Sequence, residues 1–219
     1  NISATTINFA TEGELTVADG KNVETTDIST SSAGTGALML LGDHTVAGDI
    51  GIAGGNELRL ISINGDVITT GNIAATTINF ASLNAADDDS LTIAAGKDVT
   101  AAITTATNDH GTLNFLGSST VTGNVGASEL RLQEINAGVN GATVTFFGDV
   151  FVTEATLHVT GDGTVELNGD FFGDANFDNN GTIALGDDPL PPPGSTDFNG
   201  DITTSTDGEG TLAVFDTST

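Results

Sequence analysis

The chain repeats itself, and this internal repeat limits the folds open to it more than any other feature. The string ISATTINFA at residues 2–10 returns as IAATTINFA at residues 73–81. A third copy begins near the end, where ITTSTDGEGTL at residues 202–212 matches ITTATNDHGTL at residues 103–113. Such repeats indicate a stacked solenoid or a row of similar modules, because one short unit cannot bury its apolar face alone.

Within each copy, apolar residues alternate with Thr, Asn or Glu. Leu15 and Val17 flank Thr16, and Val144 and Phe146 flank Thr145. This period of two predicts half-buried strands, and the Gly-Asp, Asn-Gly and Asp-Gly steps between them predict tight turns. A sustained helical period is absent from the sequence. We therefore expect an all-β chain.

Two β architectures are consistent with these short strands. The preferred one is a repeat β-solenoid, a right-handed parallel β-helix, since copies at slightly different offsets stack without disturbing their neighbours. The alternative is a series of tandem β-sandwich modules, each with its own core. We expect four segments along the chain: residues 1–72 as the first β-repeat copy, 73–186 as the second copy with an extended insertion, 187–197 as a Pro-rich loop or linker, and 198–219 as the truncated start of a third copy.

The charge balance excludes several classes of partner. The sequence has 30 acidic and 4 basic side chains, a formal net charge of −26. Such a chain repels phosphate, which argues against binding to nucleic acid or to anionic lipid. It has no Cys, which excludes disulfides and thiolate metal sites. No apolar run is long enough for a transmembrane segment. These properties fit an extracellular protein.

Catalytic residues are not predicted. The basic side chains occupy repeated positions, Lys21 with Lys97 and Arg59 with Arg131, whereas a catalytic site is normally unique. We expect each Arg to neutralise the Glu two residues before it. Three histidines lack the spacing of a Ser-His-Asp or paired-His motif, and we expect all of them on the surface: His44, His110 and His158. The chain is therefore predicted not to be an enzyme.

Calcium is the cofactor that the acidic loops favour, because this ion prefers oxygen ligands in flexible segments. Alternating oxygen-bearing residues occur twice, as Asp174, Asn176 and Asp178 and as Asp197, Asn199 and Asp201, and three acids also stand in a row at residues 87–89. A complete calcium-loop pattern is missing, since the sixth-position Gly and the twelfth-position Glu are absent. A solvated acidic surface that keeps the protein soluble is the alternative.

Several strings resemble a known family. GTLNFLGSSTVTGNVG, LRLQEINAG and TTINFA look like the passenger-domain repeats of bacterial autotransporter surface proteins, most closely those of the rickettsial outer-membrane protein B type. The resemblance covers most of residues 2–161 and again 198–212. It implies a secreted β-helix on the bacterial cell surface that serves in adhesion or as a surface layer. The acidic, Cys-free composition also resembles that of surface-layer (S-layer) proteins.

The predicted function is structural. The ends of a β-helix expose unpaired strands, so we expect self-association of this chain into a filament or lattice. We also expect cations to promote assembly, because they screen the acidic surface. The alternative is an adhesin that binds a cell-surface receptor through a non-repeated insertion. Residues 171–193 are the candidate for that insertion, with Phe171, Phe172 and Phe177 expected mainly in the core.

Overall fold

The computed structural model describes residues 1–83, 89–153, 157–186 and 196–215. These residues form β-strands and turns and contain no helix, so the described part has no helix that could cross a membrane. The strands are β1 (Ile2–Ser3), β2 (Thr6–Phe9), β3 (Glu14–Val17), β4 (Val23–Thr30), β5 (Thr35–Leu41), β6 (His44–Ile50), β7 (Leu58–Asn64), β8 (Asp66–Thr69), β9 (Ile73–Phe80), β10 (Ser90–Ile93), β11 (Val99–Thr105), β12 (Thr112–Phe115), β13 (Ser119–Thr122), β14 (Glu134–Ala137), β15 (Thr143–Phe146), β16 (Val150–Phe151), β17 (Leu157–Val159), β18 (Thr164–Leu167), β19 (Phe171–Phe172), β20 (Ala175–Phe177), β21 (Thr182–Leu185), β22 (Phe198–Asn199), β23 (Ile202–Thr204) and β24 (Thr211–Val214).

The strands wind into a parallel β-solenoid. Val23 pairs with Val46, Val46 with Thr69, and Thr69 with Ile93, so each turn of the chain returns to the same position one strand higher. These pairings are parallel, whereas tandem sandwiches would be built from antiparallel sheets. The all-β solenoid prediction is therefore confirmed and the sandwich alternative is wrong. The handedness of the winding stays a prediction.

Three faces surround the core. Each face is a parallel sheet, a file of strands that pair one above another along the solenoid axis. The first face contains β1, the start of β4, β6, β8, β10, β12, β14, β17, β20 and β23. The second contains β2, the end of β4, the end of β6, the starts of β9 and β11, and then β13, β15, β18, β21 and β24. The third contains β3, β5, β7, the ends of β9 and β11, and, beyond Val125, β16, β19 and β22.

Inward side chains form apolar files along the axis. On the third face, Leu38, Ile61, Ile78 and Ile103 lie on one another and are at most 2% exposed. Phe115 of the first face meets Phe146 of the second edge to face, with ring centroids 5.7 Å apart. Apolar burial is the main stabilising contribution, and here it continues from one turn to the next. The expected boundary after residue 72 is not a break, since β9 pairs with both β7 and β11. The four-segment division itself stays a prediction.

Corresponding strands of successive sequence copies lie on different faces: each strand lies one face further along the winding than its counterpart in the previous copy. The string LTV of the first copy lies in β3 on the third face, whereas its counterpart LTI lies in β10 on the first face. TINF likewise moves from the second face (β2) to the third (β9), and the third copy repeats the step, from β11 to β23 and from β12 to β24. The copied unit is a local strand-turn-strand segment, and the three faces accept it equally.

The turns that carry the two lysines illustrate this local equivalence. His44 Nδ1 lies 2.6 Å from the carbonyl oxygen of Lys21, and the hydroxyl of Ser119 donates to the carbonyl of Lys97 at 2.6 Å. His44 and Ser119 correspond in the repeat, as do the two lysines. The corners therefore share one hydrogen-bonding scheme although they join different pairs of faces.

Candidate functional site

Asp and Asn side chains at the corners bind the next turn of the solenoid. Asp49 Oδ1 accepts a hydrogen bond from the backbone N–H of Asn72 (2.7 Å), and Asn72 Oδ1 accepts from the N–H of Asp98 (3.1 Å). Asp98 Oδ1 accepts in turn from the N–H of Thr120 (2.8 Å). These oxygens satisfy backbone donors that have no strand partner at a corner. The corner carboxylates thus have a structural role, and in this file the neutral Asn72 separates the charges of Asp49 and Asp98.

A second file of corner Asn and Asp side chains, each bound to the backbone of the next turn, lies near the C-terminal end. The N–H of Asp149 donates to Asn124 Oδ1, that of Asp170 to Asp149 Oδ1, and that of Asp197 to Asp170 Oδ1, at 3.0 to 3.1 Å. Residue Asp197, a predicted calcium ligand, therefore belongs to this file. Its neighbour Asn199 lies in β22, directly above Phe172 of β19.

The remaining predicted calcium ligands lie in and beside β20 and just before β23. Asp174, Asn176 and Asp178 share the outer face, as their alternate spacing predicts, because Ala175 and Phe177 are buried between them. Strand residues advance by about 3.3 Å each, so the first and last of the three lie about 13 Å apart, too far to bind one ion.

Asp174 Oδ1 accepts from the N–H of Asp201 at 2.8 Å, so these two residues stand at one corner on successive turns. In the described part of the chain, no three His, Asp or Glu side chains lie close enough together to hold a metal ion. The acid row at residues 87–89 is only partly covered, since Asp87 and Asp88 lie outside the described residues. Calcium binding stays a prediction.

A polar cluster surrounds Asp178 on the outer face. Asp178 Oδ1 accepts from the Ser205 hydroxyl (3.0 Å) and from the Asn176 amide, and Oδ2 lies 3.0 Å from His158 Nδ1. Thr203 donates to Asn176 Oδ1 at 2.9 Å. Ser, His and Asp thus meet here, but the carboxylate stands between the other two. The hydroxyl bonds to the acid and not to an imidazole, so the arrangement lacks the nucleophile and base contact of a catalytic triad.

Two histidines are buried, so their expected surface positions are wrong. His44 (3% exposed) points inward at the start of β6, where it pairs with Val67 of β8. His110 (1%) lies beside Asp89 (1%), with Nε2 3.1 Å from the carboxylate oxygen Oδ2 but not aligned for a hydrogen bond. Polar residues next to Gly or Asp resemble turn residues in sequence, and only the stacking of turns shows that these side chains face inward. His158 is 28% exposed.

The buried carboxylate of Asp89 is held by backbone donors. Its Oδ1 accepts from the N–H of Gly65 at 2.7 Å, and its Oδ2 accepts from the N–H of Ser82 at 3.0 Å. Charged hydrogen bonds of this kind are needed to offset the cost of removing a carboxylate from water. The site joins two turns of the solenoid and is closed to solvent, so its geometry supports a structural role.

The arginines do not bind the Glu residues expected for them. Arg59 Nε lies 3.2 Å from Glu12 Oε2, and Arg131 donates to the carbonyls of Ser128 and Val152. Glu57 instead folds back over its own loop.

Glu57 Oε1 accepts from the N–H groups of Gly54 and Gly55. Hydrogen bonds from its own N–H and from that of Gly54 lower the pKa of Glu57 most, and Gly55 adds to this, while partial burial opposes it.

A shallow groove of about 470 Å³ lies beside this loop. Its lining is made of small side chains such as Ala33, Ala75 and Thr76, together with Glu57. Glu57 is the one titratable group among the described residues that line the groove.

Comparison with known proteins identifies no relative. No protein-family model, no curated protein and no solved structure matches this chain. Of what the resemblance to autotransporter passenger domains implies, the structure supports the fold alone: the chain is a β-solenoid.

Proposed function

We propose that this protein is a non-enzymatic, extracellular structural protein of a bacterial cell surface that self-associates into a filament or layer. The observation that carries the proposal is the state of the last described turn. Leu212 is 46% and Val214 68% exposed, whereas their partners one turn earlier, Ile183 and Leu185, are 0% and 7% exposed. These inward residues are apolar and are buried by any turn that lies on them, whether it continues the same polypeptide or belongs to a second copy.

The opposite end of the described stack has the same character. Ile2, Ile7 and Leu15 pack against the core but are only partly buried, because strands cover them on one side. Within the described residues, no strand pairs with the outer edges of the first and last turns, and an unpaired strand edge is a template for pairing with another chain. Contact between two different ends is heterologous, so it adds copies without closing and produces an open filament.

The contacts made by the outward side chains favour a structural function over a catalytic one. Corner carboxylates bind backbone N–H groups of the next turn, and the Ser, His and Asp residues around Asp178 bind one another. The acidic, Thr-rich exterior and the resemblance to autotransporter repeats support a place outside the cell.

The test compares two charge substitutions in the 219-residue chain. Leu212→Asp puts a carboxylate on the exposed end, whereas Leu116→Asp puts one at an exposed apolar position (57%) that is not on an end strand. We expect the unsubstituted chain and Leu116→Asp to form rods of variable length. Leu212→Asp should require at least a tenfold higher concentration, because a buried unpaired charge weakens the joint. Sedimentation velocity and negative-stain electron microscopy measure this, and a monomer at every concentration of the unsubstituted chain contradicts the proposal.

An adhesin is the second candidate, and one observation favours it. Phe151 and Phe172 lie on the outer side of the third face and stack in parallel, with ring centroids 4.6 Å apart. Both rings are half-buried, and Phe is among the aromatic residues enriched at the cores of binding interfaces. Phe171 and Phe177, in contrast, are core residues, as predicted. The core position expected for Phe172 is wrong, because this residue lies on the outward side of β19. The tip of the proposed insertion, residues 187–193, lies outside the described residues.

Deleting residues 171–193 would remove β19, β20 and β21 from the stack, so a point substitution is the better test of this candidate. The double substitution Phe151→Ser and Phe172→Ser leaves the inward residues Val150 and Phe171 intact. If the adhesin proposal holds, flow cytometry with cultured epithelial cells shows at least tenfold weaker binding of this variant. Equal binding of variant and unsubstituted chain contradicts it.

A further inference from the structure

A pocket of about 370 Å³ lies on the second face, beside the corner at which the chain arrives from the first face. The corner file of Asp49, Asn72 and Asp98 lies along one side of this pocket. The loop after β6, with Ile52 and Ala53, lies along the other side. We refer to this site as the corner pocket.

Small residues between the two sides make the site concave. Gly51, Ala74 and Thr100 occupy this position on successive turns, and none has a side chain larger than that of Thr. Ile52 is 49% exposed at the edge of the pocket. Because contact with an aliphatic group removes such apolar surface from water, the loop side of the pocket favours an apolar segment of a ligand.

The other side of the pocket has two carboxylates that the fold uses only in part. Asp49 Oδ1 and Asp98 Oδ1 each accept a backbone N–H of the next turn. Within the described residues, Oδ2 of neither aspartate accepts a hydrogen bond or forms an ion pair, although Lys97 directly precedes Asp98. These two oxygens are available to a cation, which the net charge of −26 attracts.

The spacing of the two carboxylates favours a long ligand. Asp49 and Asp98 lie two turns apart, with the neutral Asn72 between them. At about 4.8 Å from one strand to the next, their backbones are about 10 Å apart. One metal ion does not reach both, since the oxygen ligands of calcium lie within about 2.6 Å of the ion. Two positive charges joined by an uncharged chain match this arrangement.

We propose that the corner pocket binds a linear aliphatic diamine or polyamine, with one ammonium group on Asp49, another on Asp98 and the methylene chain against Ile52. Each ammonium group donates charge-assisted hydrogen bonds to Oδ2 of its aspartate. The volume of the pocket falls in the range of small-molecule sites, about 300–1,000 Å³, which favours a free amine over a basic polypeptide. The pocket is complete within one chain, so this inference goes beyond the proposed self-association and does not require it.

A matched pair of variants separates this pocket from the general acidity of the surface. Asn72 already accepts a backbone N–H through its Oδ1, so Asp49→Asn with Asp98→Asn removes two charges and keeps the hydrogen bonds to the next turn. Asp149→Asn with Asp170→Asn is the control, because these residues do the same in the other corner file and do not line the pocket. Both double variants have the same net charge, so diffuse attraction of cations weakens equally in both.

Isothermal titration calorimetry with hexamethylenediamine tests the proposal, at about 0.15 M NaCl to screen long-range attraction. Trimethylenediamine has the same charge but a chain too short to reach both aspartates. We expect one site per chain, and at least tenfold weaker binding both for trimethylenediamine and for the Asp49→Asn, Asp98→Asn variant. The Asp149→Asn, Asp170→Asn variant should bind within twofold of the unsubstituted chain. Ile52→Ser should also weaken binding, since it removes the apolar contact, and circular dichroism checks that each variant is folded.

Three outcomes overturn the proposal. Equal weakening by the two double variants, or equal affinity for the two amines, shows that diffuse charge attraction explains the binding. A lack of saturable binding removes the site altogether. Tighter binding of trilysine than of hexamethylenediamine, lost in the Asp49→Asn, Asp98→Asn variant, assigns the pocket to a basic polypeptide. Each of these results is independent of whether the chain self-associates, which sedimentation velocity measures separately.

Discussion

Asp89 occupies a corner where the turns before and after it have Gly65 and Gly111. The Asp89 side chain points into the molecule, where it is 1% exposed. The carboxylate accepts hydrogen bonds from Gly65 and Ser82 and lies against His110. At the scale of the residue, the protein must therefore supply the hydrogen bonds that this buried carboxylate loses from water.

Replacing Asp89 by Ala should destabilise the protein strongly. The change removes the carboxylate that accepts the N–H groups of Gly65 and Ser82. Each buried donor that loses its acceptor costs about 1–3 kcal/mol. Asp43→Ala is the matched control, since the exposed Asp43 also accepts a backbone N–H, that of Asp66. We expect the control to cost less than about 1 kcal/mol. Urea unfolding followed by circular dichroism measures both, and similar costs would contradict a specific role for the buried pair.

The conformation of the loops between strands is restricted by how closely one coil of the solenoid lies on the next. Gly51 follows β6 with φ of 71°, and a Cβ atom there would lie 1.9 Å from the carbonyl oxygen of Ala74 on the next turn. Gly54, in the following loop, has φ of 82° but nothing within 4 Å of its Cβ position. At the scale of the element, these two glycines separate the cost of backbone conformation from the cost of stacking.

Substituting each of these glycines by Ala separates the two effects. Gly54→Ala should cost about 1–2 kcal/mol, the penalty of a left-handed conformation for an L-residue. Gly51→Ala should cost at least about 1–3 kcal/mol more, because the added methyl group overpacks the stack. The urea midpoint of each variant tests this order. Equal midpoints would show that the corner relaxes without breaking the pairing of β6 with β9.

The charge of −26 acts on the whole molecule. Files of corner carboxylates run along the solenoid, and like charges on neighbouring copies repel one another. The Debye length falls from about 10 Å at 0.1 M salt to about 3 Å at 1 M. Apolar burial at the joint therefore competes with a repulsion that the solvent controls.

Assembly should consequently depend on cations. We expect small particles in low salt with EDTA, and longer ones after addition of calcium or of concentrated NaCl. If calcium binds specifically, millimolar calcium will be more effective than magnesium at the same ionic strength; equal effects indicate screening alone. Dynamic light scattering measures particle size. An unchanged size across these conditions contradicts cation-dependent assembly.

Much of the fold is predictable from local sequence. Alternating residues such as Leu15 and Val17 determine which side chains are buried in a strand, and the TINF and LTI repeats indicate a stacked architecture. The pattern from Phe151 to Thr160 is misleading, because it predicts one strand with Phe151 and Leu157 on the same side. The structure has two described strands on different faces there, with Phe151 outside and Leu157 inside.

The sequence by itself determined the period of two, the identity of the inward residues in most strands, the acidic exterior and the existence of copies, because each depends on neighbours along the chain. The tertiary structure decided the rotation of the copies by one face, the burial of His44 and His110, and the acceptors of the corner carboxylates. These features join residues about 20 or more positions apart, and their geometry is set by how one turn lies on the next, which a pattern of adjacent residues does not specify.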